Sequence, residues 1–194
     1  MSSSLLRLVP LFAITLTAAA AGPAAAEPGR YYVENPDTSV RSGWNLGFGL
    51  GGGEISCSGP GCEDVTEAGS LDLQVGTMLR PRLRALLDLW GMAHSEEDFK
   101  VHQTILTAGI QYWIIDRLWL RGGVGLANAG FTYGGELDDT EDESHSTIGL
   151  AGGIGFEILS RRTFALDVEL RGGTGFYNDK RAHNGAFNIG LTWY

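Results

Sequence analysis

After its first 26 residues the chain has no run of about 18 consecutive apolar residues, so no segment reads as a membrane-spanning helix. Strands that cross a membrane are not excluded, because they are short and half their residues are polar. Basic residues are few: 14 Lys and Arg face 23 Asp and Glu, a formal net charge of −9. That balance argues against nucleic acid as a partner, since phosphate binding needs a basic patch. Cysteine is scarcer still, with only Cys57 and Cys62, both in CSGPGC. Two thiols with no histidine nearby make a poor metal site. The six prolines all fall in the N-terminal segments, a loop or a turn. None interrupts the alternating stretches described below, where it would remove a ladder hydrogen bond.

What is abundant is glycine, 29 residues of 194, arranged in a pattern. In GWNLGFGLGGG, Trp44, Leu46, Phe48 and Leu50 alternate with Asn45, Gly47, Gly49 and Gly51. This period of two is that of a strand with one greasy and one small or polar face. Seven more such runs follow. Ala68–Leu79 sets Leu71, Leu73 and Val75 against Ser70, Asp72 and Gln74. Leu83–Ala93 sets Leu87 and Leu89 against Arg84, Asp88, Trp90 and Met92. His102–Ile115 sets Leu106, Ile110 and Tyr112 against Gln103, Gln111 and Trp113. The fifth, Leu118 to about Gly130, opposes Leu120 and Val124 to Trp119 and Arg121. Thr147–Leu159 opposes Ile154 and Phe156 to Gly155 and Glu157. Thr163 to about Thr174 opposes Leu166, Val168 and Leu170 to Asp167, Glu169 and Arg171. The last run carries Phe187, Ile189, Leu191 and Trp193 on its apolar face.

The connections alternate too. Those around Pro81, Asp116 and Ser160 are very short, and the others are longer, polar and often acidic. Charge decides which face points inward. Asp72, Arg84, Asp88, Arg121, Glu157, Asp167, Glu169 and Arg171 all lie on the polar face, and the greasy face is almost uncharged. A soluble ligand-binding barrel, the class-level rival, reverses this arrangement. It also leaves unexplained an apolar band on every strand with no helix to cover it. In lipid the band is in its proper solvent, and a closed barrel satisfies every backbone group. The expected fold is therefore all-β, an eight-stranded antiparallel up-and-down transmembrane barrel over 43–194. Eight strands leave an interior that side chains just fill. The charged face is expected to form a paired luminal network, the functional alternative being a narrow ion path.

Residues 1–26 read as a cleaved secretory signal peptide, with Arg7 before an apolar stretch and Ala24-Ala25-Ala26 before the cleavage point. Residues 27–42 read as an extension outside the barrel. An exported chain meets an oxidising compartment, so Cys57 and Cys62 are expected to form a disulfide that shapes a loop.

With this signal segment, its repeated GxGxG strands and the ending FNIGLTWY, the chain resembles the small outer-membrane β-barrels of Gram-negative bacteria. That group includes OmpA, OmpX and OmpW. The resemblance implies an outer-membrane location, a monomer, and contact with outer-membrane lipids and lipopolysaccharide. It also implies that the barrel assembly machinery reads the C-terminal series Phe187, Ile189, Leu191, Trp193 and Tyr194. Tyr194 itself falls one position out of the outward apolar series.

Some barrels of this size modify lipid A with a serine, a histidine and an acid. His145, Ser146 and Glu157 offer those residue types. But His145 and Ser146 would face opposite sides of a strand, and Glu157 lies far along it, so no catalytic set is assigned. The acidic run Glu136, Asp138, Asp139, Glu141, Asp142 and Glu143 lacks the spacing of a calcium loop and reads as a solvated surface loop. The glycines from 149 to 155 precede no helix, so they do not make a dinucleotide site. No cofactor is expected. The leading reading is a non-enzymatic envelope protein acting through its outer loops. The alternatives are a narrow route for a small, apolar solute and a lipid A-modifying enzyme.

Overall fold

A computed structural model describes residues 41–58, 65–96, 99–133, 145–177 and 180–194. These form β1 (Trp44–Ser58), β2 (Val65–Arg80), β3 (Leu83–Glu96), β4 (Phe99–Trp113), β5 (Leu118–Tyr133), β6 (His145–Ser160), β7 (Phe164–Tyr177) and β8 (Lys180–Trp193). All neighbours are antiparallel, and β8 closes on β1. Among the described residues there is no helix. The alternation produces this closure directly. Each run has one face that water rejects and one that lipid rejects, and only a closed sheet hides the second without leaving an edge.

Register sets the width. The pairing path from Leu46 runs through Val75, Leu87, Ala108, Val124, Leu150, Thr174 and His183. It returns to β1 at Ser56, ten residues from its start. In an eight-stranded barrel that stagger corresponds to a strand tilt of roughly 40° and an interior with room for side chains alone.

The greasy face points out. Trp44, Leu46, Leu50, Leu73, Leu87, Ile110, Leu126, Ile154, Leu170 and Ile189 are all exposed. At the short-turn end Trp44, Tyr112, Phe156 and Trp193 are exposed aromatics, and Trp193 pairs across the sheet with Phe164. They form half of the aromatic girdle that such barrels place at a membrane interface. The strands run 14–16 residues, longer than their apolar parts. The excess lies at the long-loop end. Lys180–Asn184, ahead of the apolar series of the last run, belongs to β8, and Phe99 and Lys100, ahead of the fourth run, belong to β4.

Candidate functional site

Among the described residues the chemistry concentrates on the inward face, and it is layered along the barrel. The middle layer centres on Arg171 of β7. Its side chain is 1% exposed and forms ion pairs with three carboxylates: Asp88 of β3, Asp72 of β2 at 3.3 Å and Glu169 at 3.4 Å. Its guanidinium lies 4.6 Å from the Trp90 ring centre. Arg121 of β5 pairs with Glu169 at 2.5 Å and sits 5.0 Å from the Trp119 ring. Asp72 also accepts from Gln74 at 2.6 Å and from Asn188 at 3.2 Å. Arg84 has no carboxylate partner among the described residues; it donates to Gln74 at 3.1 Å and Gln111 at 3.4 Å. Asp167 is 7% exposed on the same inward face, and its charge acts on both Arg121 and Arg84.

The inward glycines make room for these groups. A Cβ on Gly49 would strike the Asp72 carboxylate, and one on Gly155 would strike the Trp119 ring. A Cβ on Gly190 would come within 2.6 Å of Asp167 Oδ1. The GxGxG pattern is thus a packing device, large inward residue against missing side chain across the ladder.

The layer toward the long loops is apolar, and it takes in Trp90 and Met92, which the sequence placed on the inward face, together with residues it did not place there. Ile55, Ala68, Trp90, Met92, Val101, Ile105, Ala127 and Ala186 pack there as an apolar cluster. Trp90 turns its polar edge away, donating from Nε1 to Ser70 at 2.9 Å. Ile55, Val101 and Ile105 occupy inward positions of their strands, so the outward-apolar rule hid them.

The layer at the short-turn end contains a residue that the sequence placed outside the barrel. Arg41 reaches into the mouth and pairs with Glu157 at 2.7 Å, with the two side chains 9% and 1% exposed. Trp113 donates to the same carboxylate at 2.8 Å. Tyr194 is half-buried beside this group. Burial first, and the Glu157 charge second, push its phenol above the ordinary range. The backbone N–H of Tyr194 donates to Thr163 at 2.9 Å, fastening the last residue to the β6–β7 turn.

Not every candidate is brought together. Ser146 lies at the long-loop end of β6, accepting from Asn128 at 3.1 Å, and Glu157 is at the opposite end, held by Arg41. Eleven residues of strand separate them, roughly 36 Å. Cys57 ends up on β1 near the long-loop end and is not a free thiol, and its expected partner Cys62 lies outside the described residues. Residues 1–40, the acidic run 136–143 and the His145 side chain also lie outside them. Of the C-terminal series, Phe187, Ile189 and Trp193 are exposed on the outer wall and Leu191 is half-buried.

A model of the outer membrane protein beta-barrel domain matches residues 11–194. The chain belongs to this family. Its place is accordingly the outer membrane. Similar folds include Ail, the attachment invasion locus protein of Yersinia pestis, in complex with the heparin analogue sucrose octasulfate. That likeness has a TM-score of 0.60 at 13% identity and covers 77% of this chain and 99% of Ail. Neisserial surface protein A gives a TM-score of 0.57 at 18% identity, covering 78% of this chain and 97% of the other. At such identities the likeness is one of fold. No curated protein sequence matches this chain.

Proposed function

We propose that this protein is a non-conducting envelope barrel whose lumen is a structural core and whose interactions are made by the loops at its long-loop, extracellular end. One observation carries the reading. Arg171 ties together Asp72, Asp88 and Glu169, drawn from three strands, across the middle of the lumen. An interior this narrow, crossed by paired side chains, has no continuous opening. Short turns mark the periplasmic side, as is usual for such barrels. The apolar band contacts outer-membrane lipid and lipopolysaccharide, and the C-terminal series Phe187, Ile189, Leu191, Trp193 and Tyr194 is what the assembly machinery reads. The wall needs no second copy, so the protein acts as a monomer. A disulfide between Cys57 and Cys62 shapes the first outer loop.

The names of the two similar folds, an attachment protein and a surface protein, support a surface role. A heparin-like ligand does not carry over to this chain, because its net charge of −9 repels a polyanion. No catalytic role is assigned, since Ser146 and Glu157 lie at opposite ends of β6.

The test is single-channel recording in planar bilayers, on protein whose folding is first shown by a gel shift between unboiled and boiled samples. The expected result is folded protein with no conductance steps. Regular steps that scale with salt concentration would overturn the closed-lumen reading in favour of a narrow ion path.

A further inference from the structure

We infer that the periplasmic mouth contains a guanidinium-binding site, formed by Glu157, Trp113 and the Asp116 carbonyl, which Arg41 fills from within the same chain. Three features of a guanidinium are matched at once. Its fork meets the carboxylate edge: Arg41 Nη2 donates to Glu157 Oε2 at 2.7 Å and Nε donates to Oε1 at 3.2 Å. Nη2 also donates to the Asp116 carbonyl at 2.5 Å. The flat face lies 4.6 Å from the Trp113 ring centre. A lysine ammonium offers neither the planar fork nor the flat face, so the site selects the guanidinium class.

The receptor half is also held by bonds that do not involve Arg41. Trp113 donates to Glu157 Oε1 at 2.8 Å, and the Glu157 backbone N–H donates to the Arg117 carbonyl at 2.8 Å. With Arg41 in place Trp113 is fully buried and Glu157 is 1% exposed. β4, the β4–β5 turn and β6 therefore fix the carboxylate, the carbonyl and the ring, and the ligand comes from 116 residues away in sequence. Gly43 makes the approach possible. Its φ of 72° is the left-handed turn between Arg41 and the first residue of β1. The site thus holds Arg41 in the mouth and neutralises a carboxylate with which no luminal arginine pairs among the described residues.

The experiment uses the full chain folded in vesicles, with the Arg41→Ala variant titrated with methylguanidinium or methylammonium at equal ionic strength. Trp113 fluorescence reports binding, and Arg41→Ala with Trp113→Phe removes the reporter. The expected result is a saturable change with methylguanidinium, at least about tenfold weaker with methylammonium, and none in wild type, whose site is filled. Adding Glu157→Gln to Arg41→Ala should abolish the response. Equal responses to the two cations, no response in Arg41→Ala, or an equal response in wild type would each overturn the site. Should Arg41→Ala fold poorly, refolding with methylguanidinium becomes the readout. Recovered yield supports the site, and yield no better than with methylammonium overturns it.

Discussion

Replacing Arg171 with alanine should be among the most damaging single changes available in the barrel. The substitution removes one cation from three carboxylates in a space that is 1% exposed at the arginine. Deleting one partner of a buried ion pair costs about 3–5 kcal/mol, because the remaining charge stays desolvated. The upper end applies here, since Asp72 and Asp88 lose the one cation that pairs with them among the described residues. Glu169 keeps Arg121. Asp88→Asn is the matched milder change. It keeps an acceptor for Arg171 and leaves that cation two carboxylates, so a loss of about 1–2 kcal/mol is expected. Arg171→Ala combined with Asp88→Asn should cost less than the two single changes together, with a coupling of about 0.5–3 kcal/mol. The assay is urea unfolding in phospholipid vesicles, followed by tryptophan fluorescence, with the slope m checked for constancy. Arg82→Ala is the control, because Arg82 and Asp116 form a pair at 3.4 Å that is 54% and 61% exposed. It should cost under about 1 kcal/mol, and salt should erase that cost while leaving the Arg171 effect in place. An Arg171→Ala variant within about 0.5 kcal/mol of wild type would refute the idea that the luminal network holds the barrel together.

Gly155→Val should prevent folding, because its side chain would overlap the Trp119 ring, whereas Gly122→Ala meets no atom within 4 Å and should be neutral; the gel shift on boiling checks both. Leu87→Arg, on the lipid-facing wall and 51% exposed, should cost about 2–4 kcal/mol in vesicle unfolding if it sits near the membrane midplane. A soluble barrel would tolerate it. Trapping thiols under denaturing conditions without reductant should find neither Cys57 nor Cys62 modified. Changing both to serine should cost no more than about 2 kcal/mol, since the loop they would close is short.

The alternation of residues made the strands, their faces and the barrel class readable, because a period of two is a local property. Leu46 beside Gly47 states its direction without reference to anything distant. Pairing is another matter. Which acid meets Arg171 depends on the ten-residue stagger, and that accumulates over eight ladders. Asp88 is 83 residues away and Asp72 is farther still. The sequence therefore yields the inventory of luminal charges but not the partnerships. Strand length was underestimated where the outward face stops being apolar. Arg181 and His183 of β8 are exposed, and they continue the ladder beyond the greasy band while looking like loop.

Two luminal features escaped for opposite reasons. Ile55, Val101 and Ile105 follow the alternation faithfully but carry the wrong chemistry for a polar interior. Polarity is set by what fills the far wall, and there the neighbours are Trp90 and Met92. A rule that assigns faces by polarity alone will always miss an apolar layer inside a barrel that is apolar outside. Arg41 fails the other way. It lies in no periodic run, and two residues later Gly43 turns the chain, so nothing local marks it as part of the interior. The available signal was an imbalance. The eight charges recognised on the strands comprise five carboxylates and three arginines. A buried surplus of two negative charges is costly enough to require a cation from elsewhere. Arg41 at the Glu157 end of the lumen supplies one. With Arg41 counted, five carboxylates face four arginines, and the pairing of Arg41 with Glu157 accounts for the acid that the strand arginines do not reach.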